Sequence, residues 1–170
     1  KIKFKRLIER NQRKDEGYYY LGRVAEEQKQ LQAAIAEFEK IENGQHYLDA
    51  KARIAAIYIK LDGIEKAQNY LKNVRRNSSS PENIIEVYLV EGQLLHNEKL
   101  YVAAMDLYSE GLQEFPGHSD LLYARALMAE EIDRIALLET DLKTILLEDP
   151  DNASALNALG YTLAAHNFRV

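Results

Sequence analysis

Cysteine and tryptophan are both absent from the 170 residues, and proline occurs only three times. Without cysteine there is no disulfide framework, no thiolate nucleophile and no sulfur metal site. No apolar run approaches the roughly 18 to 20 residues that cross a bilayer, so no membrane insertion of this segment is expected. The opening Lys1-Ile2-Lys3-Phe4-Lys5-Arg6 lacks the apolar stretch of a secretory signal. Positive charge is not in excess either: 22 basic side chains stand against 27 acidic ones, for a net charge of −5. That balance argues against nucleic acid as a partner, because phosphate binding rests on Lys and Arg releasing counterions. No phosphate-cradling glycine loop and no Ser/His/Asp arrangement occurs, and the four histidines, at 46, 96, 118 and 166, form no metal motif. His46 with Asp49 is the one near pair, and local capping or hydrogen bonding is its simplest role. Glu26-Glu27 and Glu130-Glu131 are adjacent, so on a helix they point about 100° apart and cannot act as a catalytic dyad. No catalysis, cofactor or metal is expected. Folding is a different matter, since 46% hydrophobic and 29% charged residues are globular proportions.

What is present is a repeat. Pro116 and Pro150 lie 34 residues apart. At that step Tyr88, Gly92, Leu95, Ala104 and Tyr108 fall on Leu122, Ala126, Ala129, Leu138 and Leu142. Tyr18, Leu21, Gly22, Ala34 and Phe38 carry the same pattern upstream, as do Ile54, Ala55, Tyr58, Ala67 and Leu71. With Asn157-Ala158-Leu159-Gly160-Tyr161, the pattern resembles the tetratricopeptide repeat signature, with Leu156 in place of its tryptophan. The register predicts an all-α fold, a right-handed α-solenoid of antiparallel helix hairpins with about nine or ten helices. Residues 1–14 are expected as the second helix of a preceding repeat, with Phe4 and Leu7 inside. Repeats are expected over 15–47, 48–84, 85–118 and 119–152, and 153–170 as the first helix of a further one. Small residues on first helices (Gly22, Ala55, Gly92, Ala126) are expected to face small ones on second helices (Ala34, Ala67, Ala104), with Leu138 departing from the rule. Phe38, Leu71, Tyr108 and Leu142 are expected to fill the space toward the next repeat. Punctuation agrees: Ser79-Ser80-Pro81-Glu82 has capping-box spacing, Asp62-Gly63 marks a turn, and Asp149-Pro150-Asp151-Asn152 caps the following helix.

The stretch Asp120-Leu121-Leu122-Tyr123-Ala124-Arg125-Ala126, with Asp149–Ala153 and Leu156–Ala164, is similar to the long tetratricopeptide lipoproteins of Gram-negative proteobacteria. So is the loop Gly44-Gln45-His46-Tyr47-Leu48-Asp49-Ala50. Some members of that family tether a C-terminal processing protease at the outer membrane and present substrates to it. The resemblance therefore implies an adaptor at the periplasmic face of that membrane, with such a protease as partner.

In this architecture first helices line the concave surface, and helical periodicity projects particular residues there. These are Tyr19, Arg23, Arg53 and Lys60, then Leu89, Gln93 and His96, then Tyr123 and Leu127, and finally Asn157 and Tyr161. A mixture of ring, amide and charge suits an extended peptide. The same residues would also serve as plain solvated surface. Charge is uneven: residues 1–14 hold seven basic side chains against Glu9, and 119–152 hold nine acidic against three basic. Helix 153–170 carries Leu156, Leu159, Leu163, Phe168 and Val170, and is expected to leave an apolar face that promotes self-association. The function expected is a protein-binding scaffold; a non-catalytic part of a larger enzyme and a purely structural spacer are the alternatives.

Overall fold

The computed structural model describes residues 14–167, and nine helices lie among them with no strand. They are α1 (Lys14–Glu27), α2 (Leu31–Phe38), α3 (Tyr47–Asp62), α4 (Ile64–Asn77), α5 (Pro81–Asn97), α6 (Tyr101–Glu114), α7 (Ser119–Glu131), α8 (Ile135–Glu148) and α9 (Ala153–Asn167). The second helix expected within 1–14 lies outside the described residues except for Lys14, as do Phe168, Val170 and the side chain of Leu163. Two compact units result, one ending at Val87 and the other beginning at Tyr88 within α5.

Short turns make each helix pair antiparallel, and the turns repeat in register. Lys29, Gly63, Lys99 and Asp133 follow the first helices and all take positive φ, between 57° and 90°. At three of them the next amide closes a six-residue loop: Gln30 donates to the Ala25 carbonyl, Leu100 to Leu95 and Arg134 to Ala129. This satisfies carbonyls that the helix end would leave bare. Helix starts are capped by side chains where the sequence punctuates. Ser80 Oγ accepts from the Asn83 amide, with Pro81 as the first helical residue, and Asn152 Oδ1 accepts from the Ala155 amide. The expected capping box is not formed, because Ser80 rather than Ser79 is the cap and Glu82 instead accepts from its hydroxyl.

The tight contact within the hairpins differs from the expectation of small facing small. A Cβ on Gly22 would lie 2.5 Å from the Phe38 ring, and one on Gly92 would collide with the Tyr108 ring. Phe38 and Tyr108 thus cover the glycine of their own hairpin. The residue sixteen positions after the small one is aromatic where that residue is glycine, and leucine after Ala55 and Ala126 (Leu71 and Leu142), all of them buried. Volume lost on one helix is restored on the other, as close packing requires.

In the unit ending at Val87, Tyr19, Ala34, Ile35, Phe38, Ile41, Ile54 and Ile57 form the core, flanked by Tyr18, Tyr47, Tyr58 and Tyr70. In the unit from Tyr88, the core includes Leu122, Ala126, Ala129, Leu138, Leu142, Ile145 and Ala155. Leu138, the exception to the small-residue rule, is fully buried beside Ala126 and Ala129.

Candidate functional site

Among the projected groove residues, four lie in the first unit, and the structure brings them together. Arg23, Arg53 and Lys60, with Glu26, Glu27, Lys29 and Leu31, line a cleft of about 540 Å3. Its residues come from α1, α3 and the turn that starts α2. Tyr19 is placed otherwise than projected. It is 8% exposed, lies in the core with its ring 6.0 Å from that of Phe38, and shows only its polar edge. The buried face of α1 is wider than projected, since the neighbouring Tyr18 also packs against the core, half-buried.

That polar edge begins a chain of contacts. The Tyr19 hydroxyl donates to Asp49 Oδ2 at 2.5 Å, and Arg53 Nε donates to the same oxygen at 2.7 Å. Arg53 also reaches Glu26 at 2.9 Å, so its guanidinium is held between carboxylates of two helices. Arg23 donates to the Tyr19 hydroxyl at 3.3 Å. His46 stacks on the other side, its ring 4.1 Å from that of Tyr19 and within 10° of parallel. Its side chain makes no cap hydrogen bond, although it stands at the N-cap of α3. Burial pushes the Asp49 carboxyl up, but hydrogen bonds from Tyr19 and Arg53 outweigh it and hold the group below its usual value. Desolvation opposes the Arg53 charge, and its bonds to Asp49, Tyr19 and Glu26 more than restore it. Arg53, projected onto the groove, is therefore already paired with two carboxylates, whereas Arg23 makes one long hydrogen bond.

The remaining projected residues lie in the second unit. Gln93 donates to Asn97 at 2.9 Å, and His96 lies 3.9 Å from Glu131 and 5.4 Å from the Tyr101 ring. Leu89, Tyr123 and Leu127 are half-buried, Tyr123 against the core, while Asn157 and Tyr161 are exposed. A cleft of about 550 Å3 in this unit involves none of them; Leu100, Tyr101, Val102 and Ile132 help to line it at the helix turns.

Sequence reasoning missed the most buried polar pair of this unit. Arg125 binds Asp141 through two parallel bonds of 2.8 and 2.7 Å, and Asp141 is 1% exposed. Arg125 also donates to Ser109 Oγ at 3.1 Å, which ties together α6, α7 and α8. The bonds from Asp141 stabilise the guanidinium charge and raise its pKa further. The available signal was an aspartate beside Leu142 in the buried register of α8. Ser109, which the register places away from the close contact, is part of this tie.

Residues 3–47 match the tetratricopeptide repeat family. The chain is 37% identical over 155 residues to the TPR repeat-containing protein PA4667 of Pseudomonas aeruginosa, a match covering 91% of this chain and 26% of that protein. The chain thus spans about a quarter of that relative's length. Among solved structures, YrrB, described as a TPR protein with an unusual peptide-binding site, aligns with a TM-score of 0.53 at 21% identity, covering 85% of this chain and 73% of that one. MamA AMB-1 aligns at 0.53 and 13% identity, over 91% and 83% of the two chains. These structures share the fold.

Proposed function

Since the chain is an array of tetratricopeptide repeats, we propose that it acts as a non-catalytic scaffold holding an extended peptide segment of a partner protein against its first helices. The observation that carries this reading is the cleft of the first unit, about 540 Å3 and lined from α1 and α3, with Arg53 fixed before any ligand arrives. A preset guanidinium loses little freedom on binding, which is where flexible surface groups lose affinity. The cleft is of the size that takes side chains and short backbone runs rather than a globular surface.

The narrower resemblance, carried by residues 120–126, 149–153 and 156–164, adds the partner's class: a C-terminal processing protease, at the periplasmic face of the outer membrane. Affinity capture with the full-length protein from its own cell tests both levels. The wild type should retain a partner, a processing protease by the narrower reading, and Arg23→Gln with Lys60→Gln should lose it while helicity and melting are unchanged. Retention indifferent to those substitutions would contradict the cleft as the binding surface.

For the 170-residue segment by itself, and not for the longer protein, self-association is proposed through α9. Leu156 is 48% and Tyr161 72% exposed, and nothing stands within 4 Å of a Cβ placed on Gly160. An apolar face of this kind supports self-association. Light scattering that finds a monomer at every concentration would contradict it.

A further inference from the structure

We infer that the cleft of the first unit selects an acidic side chain of the peptide, read by Arg23 with Lys29 and Lys60, while Arg53 is a positioning residue. The inference rests on the peptide reading above and adds the chemistry of the ligand. It follows from which charges in the cleft are already compensated. Arg53 bridges two carboxylates, Asp49 and Glu26, and its single charge is shared between them. Arg23 makes one hydrogen bond, to the neutral Tyr19 hydroxyl at 3.3 Å, and attracts Asp49 only through space, while Lys29 and Lys60 make no ion pair among the described residues. The cleft lining carries four cations, Arg23, Lys29, Arg53 and Lys60, against two carboxylates, Glu26 and Glu27, and stays net positive when Asp49 is counted with Arg53.

The geometry suits a carboxylate on a chain rather than a free anion. The Tyr19 hydroxyl, held by Asp49, orients one arm of Arg23, and the rest of the guanidinium fork is open to a two-bond contact with a planar carboxylate. Leu31 supplies an apolar wall for the carbon stem of the acidic side chain, and Glu27 is placed to accept from a peptide N–H. The second unit lacks this chemistry at the same register. Seventy positions after Gly22 stands Gly92, and the residue after it is Gln93 rather than a second arginine, bonded to Asn97.

The test is selection of the 170-residue chain against a random decapeptide library with amidated C termini, so that side chains are the only carboxylates offered. The retained pool should be enriched in Asp and Glu. A peptide from it should bind the Arg23→Gln variant about tenfold more weakly, the loss of one charge-assisted contact. Exchange of its acidic residue for the amide should cost the wild type a similar factor and cost the variant little. A retained pool with no acidic enrichment, or an acidic preference that survives Arg23→Gln, would overturn the inference and leave the peptide reading in place. No retained pool at all would overturn both. Enrichment in bases instead would assign recognition to Glu27. Unchanged melting of Arg23→Gln, which removes only one long hydrogen bond, separates lost recognition from lost folding.

Discussion

The two units are built from the same hairpin and place their polar groups in opposite ways. The first keeps its network at the half-exposed face: Arg53 and Glu26 are bonded to each other yet line the cleft, and Asp49 holds Arg53 from an exposed position. The second buries its ion pair, with the Asp141 side chain 2% exposed and Arg125 gripping it from the neighbouring helix. A charge pair at a face can meet a ligand, because solvent or a partner replaces its open side. A buried pair can only fix how helices register, since breaking it strands a charge. On the proposed reading, recognition belongs to the first unit, while the buried pair of the second fixes the register of its helices.

The largest effect should come from breaking the buried pair. Asp141→Ala leaves Arg125 without its counter-ion and should cost about 3 kcal/mol or more in denaturant unfolding. Asp141→Leu combined with Arg125→Met should recover most of that loss. A double variant as weak as the single one would show that the pair contributes through more than its charge balance.

Next come the glycines, which sharpen the comparison within one chain. Gly92→Ala drives a methyl into the Tyr108 ring and should cost about 1 to 3 kcal/mol. Gly160→Ala, with open space above it, should stabilise α9 by about 0.5 to 1 kcal/mol through helix propensity. Equal effects in thermal melting would contradict the volume compensation between helices.

The smallest effect is expected at the exposed network of the first unit. Asp49→Asn should cost under about 1 kcal/mol at neutral pH, the usual value of an exposed pair. The folded Asp49 carboxyl lies below its ordinary 3.8, so the stability it supplies is full above that value. It is lost as pH falls through the lower, folded value. The gap between wild type and Asp49→Asn should therefore close under acid conditions and narrow in high salt. A gap that widens toward low pH would reverse the assigned sign.

Much of the fold was legible because it depends on spacing. Gly22, Gly92, Pro81 and Asn152 marked the close contacts and helix starts by position alone. The pairing of those glycines was less legible. The register identified Phe38 and Tyr108 as large and buried, but what each ring covers depends on how two helices face each other. Of the projected groove, what the spacing foresaw is proximity: Arg23, Arg53 and Lys60 line one cleft. Tyr19 was misplaced because periodicity does not say how wide the buried face of a helix is: Tyr18 and Tyr19 differ by about 100° yet both pack on the core, Tyr19 more deeply. Asp49 stands one helical turn before Arg53 and was open to reading, but Glu26 and Asp141, the other carboxylates of Arg53 and Arg125, were hidden because they sit on other helices, 27 and 16 residues away, where no periodicity announces them.

The claim that the first unit's cleft is the recognition surface is tested most directly by site-specific photo-crosslinking of the full-length protein in its own cell. A photoreactive residue at Lys60, in the cleft, should trap a protein partner. One at Lys143, exposed on the second helix of its hairpin in the other unit, should not. Trapping at Lys143 with none at Lys60 would contradict the account.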